Sequence, residues 1–483
     1  MNSQMQMETS RPFKRVVFDI ETDELYDDVS KIHCLVLKCL DSDEVRSYTP
    51  SRTLGQIDLE IGLSFLSEAE LIIGHNIIGY DIPVIQKLYP NWSTKATVRD
   101  TLILAQLLIP VDKLRDDDFK ADKIPVQFRG RFSLEAFGYR LGNYKGDFKG
   151  PWDTLTQDML DYCRTDVRVT HDLWNRLAEI SIEWGLDPYD PNPPAGKDAI
   201  QMEQTVAEIV ARQERYGFCF DVKAARDLHI KLAGRQSDLE SELQKIFPPK
   251  VHRTPFTPKA NNSKLGYVKG KTITREVVIP FNPGSRKQVA ERLVALGWKP
   301  TEFGNDGVPS LDDDTLTALP YPEAKILAEY FLIQKRLGQL SNGKEALIRN
   351  ERKRRIHGRV ITNGAVTGRM THSKPNMNLP KVGTLYGEEF RSLMIASPGK
   401  VLVGCDADSL EARCLAHYMA RYDGGAYEEA ALRGDKNLGT DNHSVNARAL
   451  GLDPKKHYAG INATGRDIAK TWFSMGTSTS DRG

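Results

Sequence analysis

The stretch at residues 16–22, VVFDIET, limits the fold of this chain more than any other feature. Apolar residues of high strand propensity lead into Asp19, Ile20 and Glu21, which predicts a buried strand with two acids near its end. Residues two apart share a strand face, so the two acids point the same way while Ile20 enters the core. Adjacent carboxylates repel each other unless a cation lies between them, and oxygen ligands suit Mg²⁺ or Mn²⁺. The alternative is two solvated acids at the start of a turn.

The segment from residue 15 to about 184 alternates predicted strands and helices. Strands are expected at 16–20, 34–37 and 71–74, and helices at 82–88, 100–108, 133–141 and 157–177. This alternation predicts an α/β layer domain. The Pro-rich segment 187–196 cannot continue a helix, so we expect a first domain at 1–187 and a linker at 188–199.

Two further acids of this domain accompany predicted elements. Asp81 follows the strand 71–74 and opens a helix, where the backbone dipole favours negative charge, so a helix-start role is an alternative to a ligand role. Tyr162 and Asp166 lie four apart in a helical stretch and share a face. Taken alone, this pair is more typical of a solvated helix face.

Together these residues resemble the proofreading exonuclease domain of DNA polymerases, which belongs to the ribonuclease H-like group. Its motifs D-x-E, N-x3-(F/Y)-D and Y-x3-D are matched in order by Asp19 and Glu21, by Asn76, Tyr80 and Asp81, and by Tyr162 and Asp166. The resemblance implies a mixed sheet flanked by helices and hydrolysis of DNA from a 3′ end with two Mg²⁺ ions, for which Mn²⁺ can substitute. It also implies that Asn76 contacts the DNA.

The resemblance assigns a role to each remaining site residue. Asp19 would bridge the two metal ions, Glu21 and Asp166 would hold the ion that activates water, and Asp81 would anchor the other ion. Tyr162 would orient the attacking water.

Composition sets the broad class of the protein. At 483 residues the chain should divide into about three domains. Residues 1–15 contain no apolar core of a signal peptide and no apolar run could cross a bilayer, so we expect a cytoplasmic protein without membrane contact. The cysteines form no CxxC pair and are expected to be reduced core residues: Cys34, Cys39, Cys163, Cys219, Cys405 and Cys414.

After the linker, residues 200–345 favour helix, first over 200–247 and then over 285–296 and 322–340. Between these helices, residues 248–275 carry basic side chains and no acid. Such a segment is a candidate contact for a phosphate backbone or an ordinary flexible loop. A second basic cluster follows at 349–355.

The last block begins near residue 356. Residues 401–405 predict a buried strand that ends at Asp406 and is followed by a helix over 410–418. By itself this pattern is also typical of a helix capped by Asp408 or Ser409. It resembles the first palm motif of family A (pol I-like) DNA polymerases, which implies that Asp406 binds both catalytic Mg²⁺ ions and that Glu411 excludes ribonucleotides.

Further motifs of family A flank this one. The T-G-R element, the P-N-x-(Q/N) element and a primer-side arginine are matched, and the residues implied to contact primer and template are Thr367, Arg369, Asn376, Asn378 and Arg391. The D-x-H-(S/T) motif and the opening of the fingers helix are also matched, and the residues implied to bind the incoming dNTP are His443, Arg466 and Lys470.

The order of the domains and the local sequences at 213–221 and 281–286 resemble the replicative polymerases of short-tailed phages, and the resemblance covers residues 13–473. This implies a mainly helical thumb at 200–345 with a basic loop at 248–280, then an incomplete α+β palm and the start of the fingers at 346–483. Some of those enzymes bind thioredoxin through a long thumb insertion. The corresponding stretch is short here, which argues against that partner.

The sequence departs from the family after Phe473, where Ser474 and a polar tail of low helix propensity replace an expected tyrosine. The second palm aspartate is also absent, so we expect a competent exonuclease that cannot extend a primer alone. The alternatives are a free-standing exonuclease whose polymerase remnant clamps DNA, and one half of a split polymerase that a second polypeptide completes.

Overall fold

The computed structural model describes residues 11–121, 123–143, 148–304, 307–375, 378–458 and 463–478. The chain divides into two compact units, Met1–Gly399 and Lys400–Gly483. The domain boundaries expected from the sequence stay predictions. In the described part of the chain, no helix is long and apolar enough to cross a membrane.

The N-terminal part is built on a mixed sheet whose strands β1 to β6 are Arg15–Thr22, Ile32–Cys39, Val45–Thr49, Ile57–Asp58, Leu71–Gly74 and Thr97–Asp100. Their spatial order is β4-β3-β2-β1-β5-β6. Helices α1 to α6 are Leu59–Glu68, Asp81–Leu88, Thr101–Leu108, Val111–Ala121, Leu134–Leu141 and Gln157–Glu183. The expected α/β layer is confirmed, with β1 between an antiparallel and a parallel neighbour.

Side chains of β1 alternate between two buried faces. Val17 packs in a core with Trp174 of α6, whereas Phe18 packs in a second core on the side of α1 and α2. Because Asp19 and Glu21 share the face of Val17, β1 directs both acids to the α6 side of the sheet.

The helical part of the first unit begins with α7 (Ala199–Tyr216), β7 (Phe218–Phe220) and α8 (Val222–Ile246). The helical stretch expected over 200–247 is therefore interrupted. Gly217 has φ +64°, which ends α7, and the side chain of Asp221 accepts a hydrogen bond from the Ala224 amide to start α8.

The basic segment is ordered as a β-hairpin, which corrects the expectation of a loop. Its strands β8 (Lys250–Phe256) and β9 (Ile273–Ile279) pair antiparallel, with nearly every side chain exposed. β-branched residues on both strands, Val251 and Thr254 on β8 and Val277 and Val278 on β9 among them, favour extended backbone. Helices α9 (Arg286–Ala295), α10 (Asp313–Ala318) and α11 (Pro322–Leu337) follow.

Short elements complete the first unit: β10 (Glu351–Arg352), β11 (Arg355–Ile356), β12 (Arg359–Ile361), β13 (Thr371–Ser373), α12 (Gly387–Ser392) and β14 (Met394–Ile395). β7 joins three of them in a sheet of order β10-β11-β7-β14. This sheet lies against the helical core, which contains Phe220, Leu337 and Phe390.

The second unit contains α13 (Leu410–Asp423), α14 (Ala426–Arg433), α15 (Asn442–Ala449), β15 (His457–Tyr458), β16 (Ala463–Thr464) and α16 (Gly465–Ser478). The buried strand expected at 401–405 is wrong: these residues are irregular and Val401 and Val403 are exposed. A strand needs a neighbouring strand as hydrogen-bond partner for its backbone groups. Among the described residues of the second unit, β15 and β16 pair with each other in a two-stranded sheet, and neither pairs with residues 401–405. Ser409 has φ +51° and its side chain makes no capping hydrogen bond to α13, so the alternative of a helix capped by Ser409 is also wrong.

Two further expectations are corrected. α16 continues to Ser478 rather than ending at Phe473, because extending an existing helix through residues of low propensity costs less than about 1 kcal/mol each. Three cysteines are buried as expected, but Cys219 is only partly buried and Cys405 and Cys414 are exposed.

Candidate active site

The acids of β1 lie side by side against helix α6. One carboxylate oxygen each of Asp19 and Glu21 and the sulfur of Cys163 all lie within 4.8 Å of one another. Glu21 and Cys163 are buried, and Asp19 is partly exposed. The spacing-of-two argument is therefore correct for this pair.

Asp81 approaches the same strand from helix α2, which follows β5. It is the first residue of α2, and its Oδ1 accepts a hydrogen bond from the Ile20 amide at 3.3 Å. Burial raises the pKa of Asp81 to about 7, and the negative charges of Asp100 and Asp166 add to the effect. Asp81 is thus a buried acid within electrostatic reach of Asp166.

Helix α6 supplies Tyr162, Cys163 and Asp166. Asp166 is only 6% exposed, so the solvated-face alternative is wrong for this residue. The ring of Tyr162 packs against Phe148, with centroids 5.7 Å apart. We call Asp19, Glu21, Asp81 and Asp166 the carboxylate cluster.

Cys163 keeps a protonated thiol beside the cluster. Burial raises its pKa well above the ordinary value, and the nearby Cys34, Asp19 and Glu21 act in the same direction. Its sulfur lies 3.6 Å from Oδ2 of Asp19, to which the thiol donates. The sequence assigned this residue only to the core.

Asp100 is a site residue that the sequence reasoning missed. Its carboxylate accepts hydrogen bonds from the amides of Asn76 at 2.8 Å, Ile78 at 3.0 Å and Leu102 at 2.9 Å. Burial raises its pKa to about 6 against the lowering effect of these bonds. Asp100 thereby holds the loop that presents Asn76 and Asp81, and its own backbone is bonded on both sides by the side chain of Gln204.

A signal for Asp100 was present in the sequence. The carboxyl ends of neighbouring parallel strands lie at the same edge of a sheet. An acid that ends one such strand and caps the following helix therefore lies beside the loop that follows the neighbouring strand. The expectation of a helix over 100–108 treated Asp100 only as a helix residue. Asn76 itself has φ +65°, and Tyr80 bonds to Thr22 at 2.5 Å between hydroxyl oxygens, which ties the loop to the end of β1.

The donor set of the cluster fits hard divalent cations. It offers carboxylate oxygens from three separate elements, and the raised pKa of Asp81 shows that negative charge is costly there. Positive charge between these groups would relieve the repulsion. The thiol of Cys163 is the soft member of the neighbourhood and is protonated.

Four of the residues expected to contact primer and template are described, and all four are exposed on the first unit. Thr367, Arg369 and Asn378 are exposed, and Arg391 donates through Nε to the Pro380 carbonyl at 2.8 Å. Asn376 lies outside the described residues.

In the second unit, three residues expected to bind the nucleotide, His443, Arg466 and Lys470, lie near one another. Arg466 donates to Asp441 at 2.8 Å, and burial, followed by the charge of Arg466, lowers the pKa of His443. The charge of Lys470 also acts on His443. Asp406 and Glu411 are exposed.

Comparison with known proteins agrees with both halves of this description. Residues 263–471 match the model of DNA polymerase family A, and residues 16–178 match that of the RNase_H superfamily. The DNA-directed DNA polymerases of Escherichia phage T7 and Enterobacteria phage T3 are each 32% identical to this chain, covering 87% of it and 71% of the relative. The thermostable DNA polymerase I of Thermus filiformis is 25% identical over 64% of this chain and 31% of its own length.

A solved structure is similar in fold. The POL domain of Pol1 from M. smegmatis, in complex with DNA primer-template and dNTP, has a TM-score of 0.63 and 16% identity, covering 97% of this chain and 69% of that one.

Proposed function

The chain belongs to DNA polymerase family A and carries a ribonuclease H-like exonuclease domain, and from this premise we propose that its carboxylate cluster hydrolyses the terminal phosphodiester at the 3′ end of DNA. The observation that carries this proposal has two parts: carboxylate oxygens of Asp19 and Glu21 on β1 lie within 4.8 Å of each other, and the buried Asp81 and Asp166 are close enough for their charges to interact, so that unneutralised charge is costly. A stability role alone would not favour so many acids together. The products are nucleoside monophosphates.

Divalent metal ions are the general cofactors of both families, and we propose Mg²⁺ here, with Mn²⁺ as a substitute. Asp19, Glu21, Asp81 and Asp166 would hold two such ions. When bound, such ions lower the pKa of water and neutralise charge on the leaving oxygen.

The remaining steps belong to the chain itself. The Ile20 amide orients Asp81, and the thiol of Cys163 donates to Asp19 and so fixes the direction of its second oxygen. Tyr162 stands four residues before Asp166 on α6, where its hydroxyl would orient the attacking water. Asn76 would contact the strand from the loop that Asp100 holds.

For nucleotidyl transfer we propose a separate site in the second unit. Arg466, Lys470 and His443 would bind the triphosphate of a dNTP, while Asp406 would hold its metal ion and Glu411 would contact the sugar. The Arg466–Asp441 ion pair supports this proposal because it holds the guanidinium beside His443. Primer-template DNA would run over the surface that carries Thr367, Arg369, Asn378 and Arg391, and Asn376 would contact it as well.

The exonuclease proposal is tested with the double variant Asp19→Ala and Glu21→Ala. Release of nucleoside monophosphate from a labelled single strand in Mg²⁺ should be abolished, and Mn²⁺ binding measured by calorimetry should be lost with it. Asp28→Ala, at an exposed acid of the same domain, should change neither result. Digestion that persists in the double variant would overturn the assignment.

A further inference from the structure

Strand β6 lies at one edge of the mixed sheet, and helix α7 covers that edge at Asp100. The side chain of Gln204 in α7 accepts a hydrogen bond from the Asp100 amide at 2.9 Å and donates to the Asp100 carbonyl at 3.1 Å. The N–H and C=O groups of one strand residue point to the same side, where a neighbouring strand normally bonds them. The amide of Gln204 therefore takes the place of a further strand at this position.

Gln204 is a buried polar residue on the packed face of α7. It is 2% exposed, and Ile200 and Ala207 are buried on the same face of the helix. Packing alone would favour an apolar side chain here, whereas an amide satisfies two buried backbone groups of Asp100. The hydrogen bonds to Asp100 therefore explain why this position is polar.

A fixed backbone at Asp100 also fixes the carboxylate that holds the exonuclease loop. That carboxylate accepts hydrogen bonds from the amides of Asn76 and Ile78, which lie between β5 and α2. Asn76 has φ +65°, so the loop backbone is not supported by the bonds of a regular helix or strand. A displacement of Asp100 would therefore move this loop.

The loop is joined to Asp81 by short-range bonds. The Ile77 carbonyl accepts from the Ile82 amide at 3.0 Å, in the first turn of α2. Asp81 precedes Ile82, and its bond to the Ile20 amide of β1 is 3.3 Å long, which is at the weak end of the hydrogen-bond range. A movement of the loop would therefore change the position of Asp81 relative to β1. Active sites tolerate only about 0.5 Å of such movement.

A neighbouring contact of α7 has a different consequence. Gln201, three residues before Gln204, accepts a hydrogen bond from Nη1 of Arg99 at 2.9 Å. The same guanidinium donates to the carbonyls of Pro188 and Asp190 at 2.7 Å and 2.8 Å, so Arg99 has other strong partners. Gln201 thus joins α7 to β6 through a side chain and leaves the backbone of the next residue unbonded by it.

We propose that Gln204 is a positioning residue of the exonuclease reaction and acts through Asp100 on the loop that presents Asn76 and Asp81. The proposal rests on the exonuclease function proposed above. The match to the RNase_H superfamily ends at residue 178, whereas α7 begins at residue 199, beyond the Pro-rich segment 187–196. The helical part of the chain therefore contributes to the geometry of the exonuclease site.

The test compares Gln204→Met with Gln201→Met. Methionine has nearly the volume of glutamine but forms no strong hydrogen bond. Both variants remove bonds between α7 and β6, but only Gln204→Met releases Asp100. Gln204→Met should lower kcat for a labelled single strand in Mg²⁺ about tenfold, because small displacements of catalytic groups are costly. Deuterium exchange of the 76–78 amides in EDTA should accelerate in this variant, and Gln201→Met should leave both measurements unchanged.

Mn²⁺ calorimetry separates a positioning role from a loss of folded protein. In Gln204→Met a misplaced Asp81 should raise the Kd for Mn²⁺ about tenfold at unchanged stoichiometry. A lower stoichiometry at unchanged Kd would show a purely structural role and overturn the proposal. Equal effects in Gln201→Met, or unchanged kcat, exchange and Kd in Gln204→Met, would overturn it as well.

A second measurement uses the wild type and does not depend on the folding of a variant. Deuterium exchange is followed in EDTA at rising urea concentrations below the unfolding transition, for peptides that contain the Asp100 amide and the 76–78 amides. If Gln204 holds the loop through Asp100, both sets of amides should open together, with the same dependence on urea. Loop amides that exchange while the Asp100 amide stays protected would count against the proposal.

The exonuclease proposal fails separately from this one. Absence of wild-type hydrolysis in Mg²⁺, with faster 76–78 exchange in Gln204→Met, would count against the exonuclease and leave the hold of Gln204 on the loop supported. Normal wild-type hydrolysis that Gln204→Met retains in full would count against Gln204 alone.

Discussion

Replacing Asp81 by asparagine should stabilise the metal-free protein while it removes exonuclease activity. Asp81 is buried, and its pKa is raised from 3.8 to about 7, mainly by burial. Asparagine has the same shape and keeps an oxygen for the Ile20 amide, which Asp81 contacts at 3.3 Å. The substitution therefore removes a buried charge and little else.

The size of the effect follows from the pKa difference. The folded protein binds the Asp81 proton more tightly than the unfolded chain, so the free energy of unfolding falls as pH rises from about 3.8 through about 7. At about 1.4 kcal/mol for each pKa unit, the ionised side chain costs about 4 kcal/mol at pH 8. Asp81→Asn should recover an energy of this order at pH 8 and almost none at pH 4.

The assay is urea denaturation in EDTA at pH 4 and pH 8, with Asp28→Asn as an exposed control. Addition of Mn²⁺ at pH 8 should stabilise the wild type and have little effect on Asp81→Asn. An Asp81→Asn protein that is no more stable than the wild type in EDTA at pH 8 would refute the reasoning.

The other predictions concern Asp100 and the cysteines. Asp100→Ala leaves the amides of Asn76, Ile78 and Leu102 without their acceptor, at up to about 1–3 kcal/mol for the buried Ile78 amide and less for the two that are partly buried, so the free energy of unfolding should fall by a few kcal/mol. Deuterium exchange of the 76–78 amides should accelerate while exchange within α5 stays constant. Unchanged exchange would show that Asp100 does not hold the loop. In the folded protein at pH 8, a thiol reagent should modify the exposed Cys405 and Cys414 rapidly. It should modify the buried Cys34, Cys39 and Cys163 only after denaturation, because burial excludes the reagent and also raises the pKa of Cys163. Rapid loss of exonuclease activity upon modification would contradict the burial of Cys163.

The N-terminal domain was largely predictable because its signals are local. A strand of period two places Asp19 and Glu21 on one face whatever surrounds it, and the alternation of strands and helices indicated the α/β class. The proximity of Asp81 and Asp166 is not local, since they lie on different helices. Their grouping was expected from the family resemblance, and each residue role stays a prediction.

The failures lie where the outcome depends on neighbours distant in sequence. Residues 401–405 have strand propensity, but propensity does not supply the hydrogen-bonding partner that a strand requires. The basic segment became a hairpin because β8 and β9 could pair with each other. Periodicity also concealed the break between α7 and α8, where β7 pairs with β11 and β14 from far along the chain.

The sequence by itself determined which chemistry this protein carries, because the acids, their spacing on β1 and the polymerase motifs are properties of residue order. Only the tertiary structure decided the surroundings that set the energetics of these acids: the three amides on Asp100, the thiol of Cys163 beside Asp19, and the burial of Asp81. Burial and hydrogen-bond partners arise from packing between segments tens to hundreds of residues apart, and no local pattern encodes them.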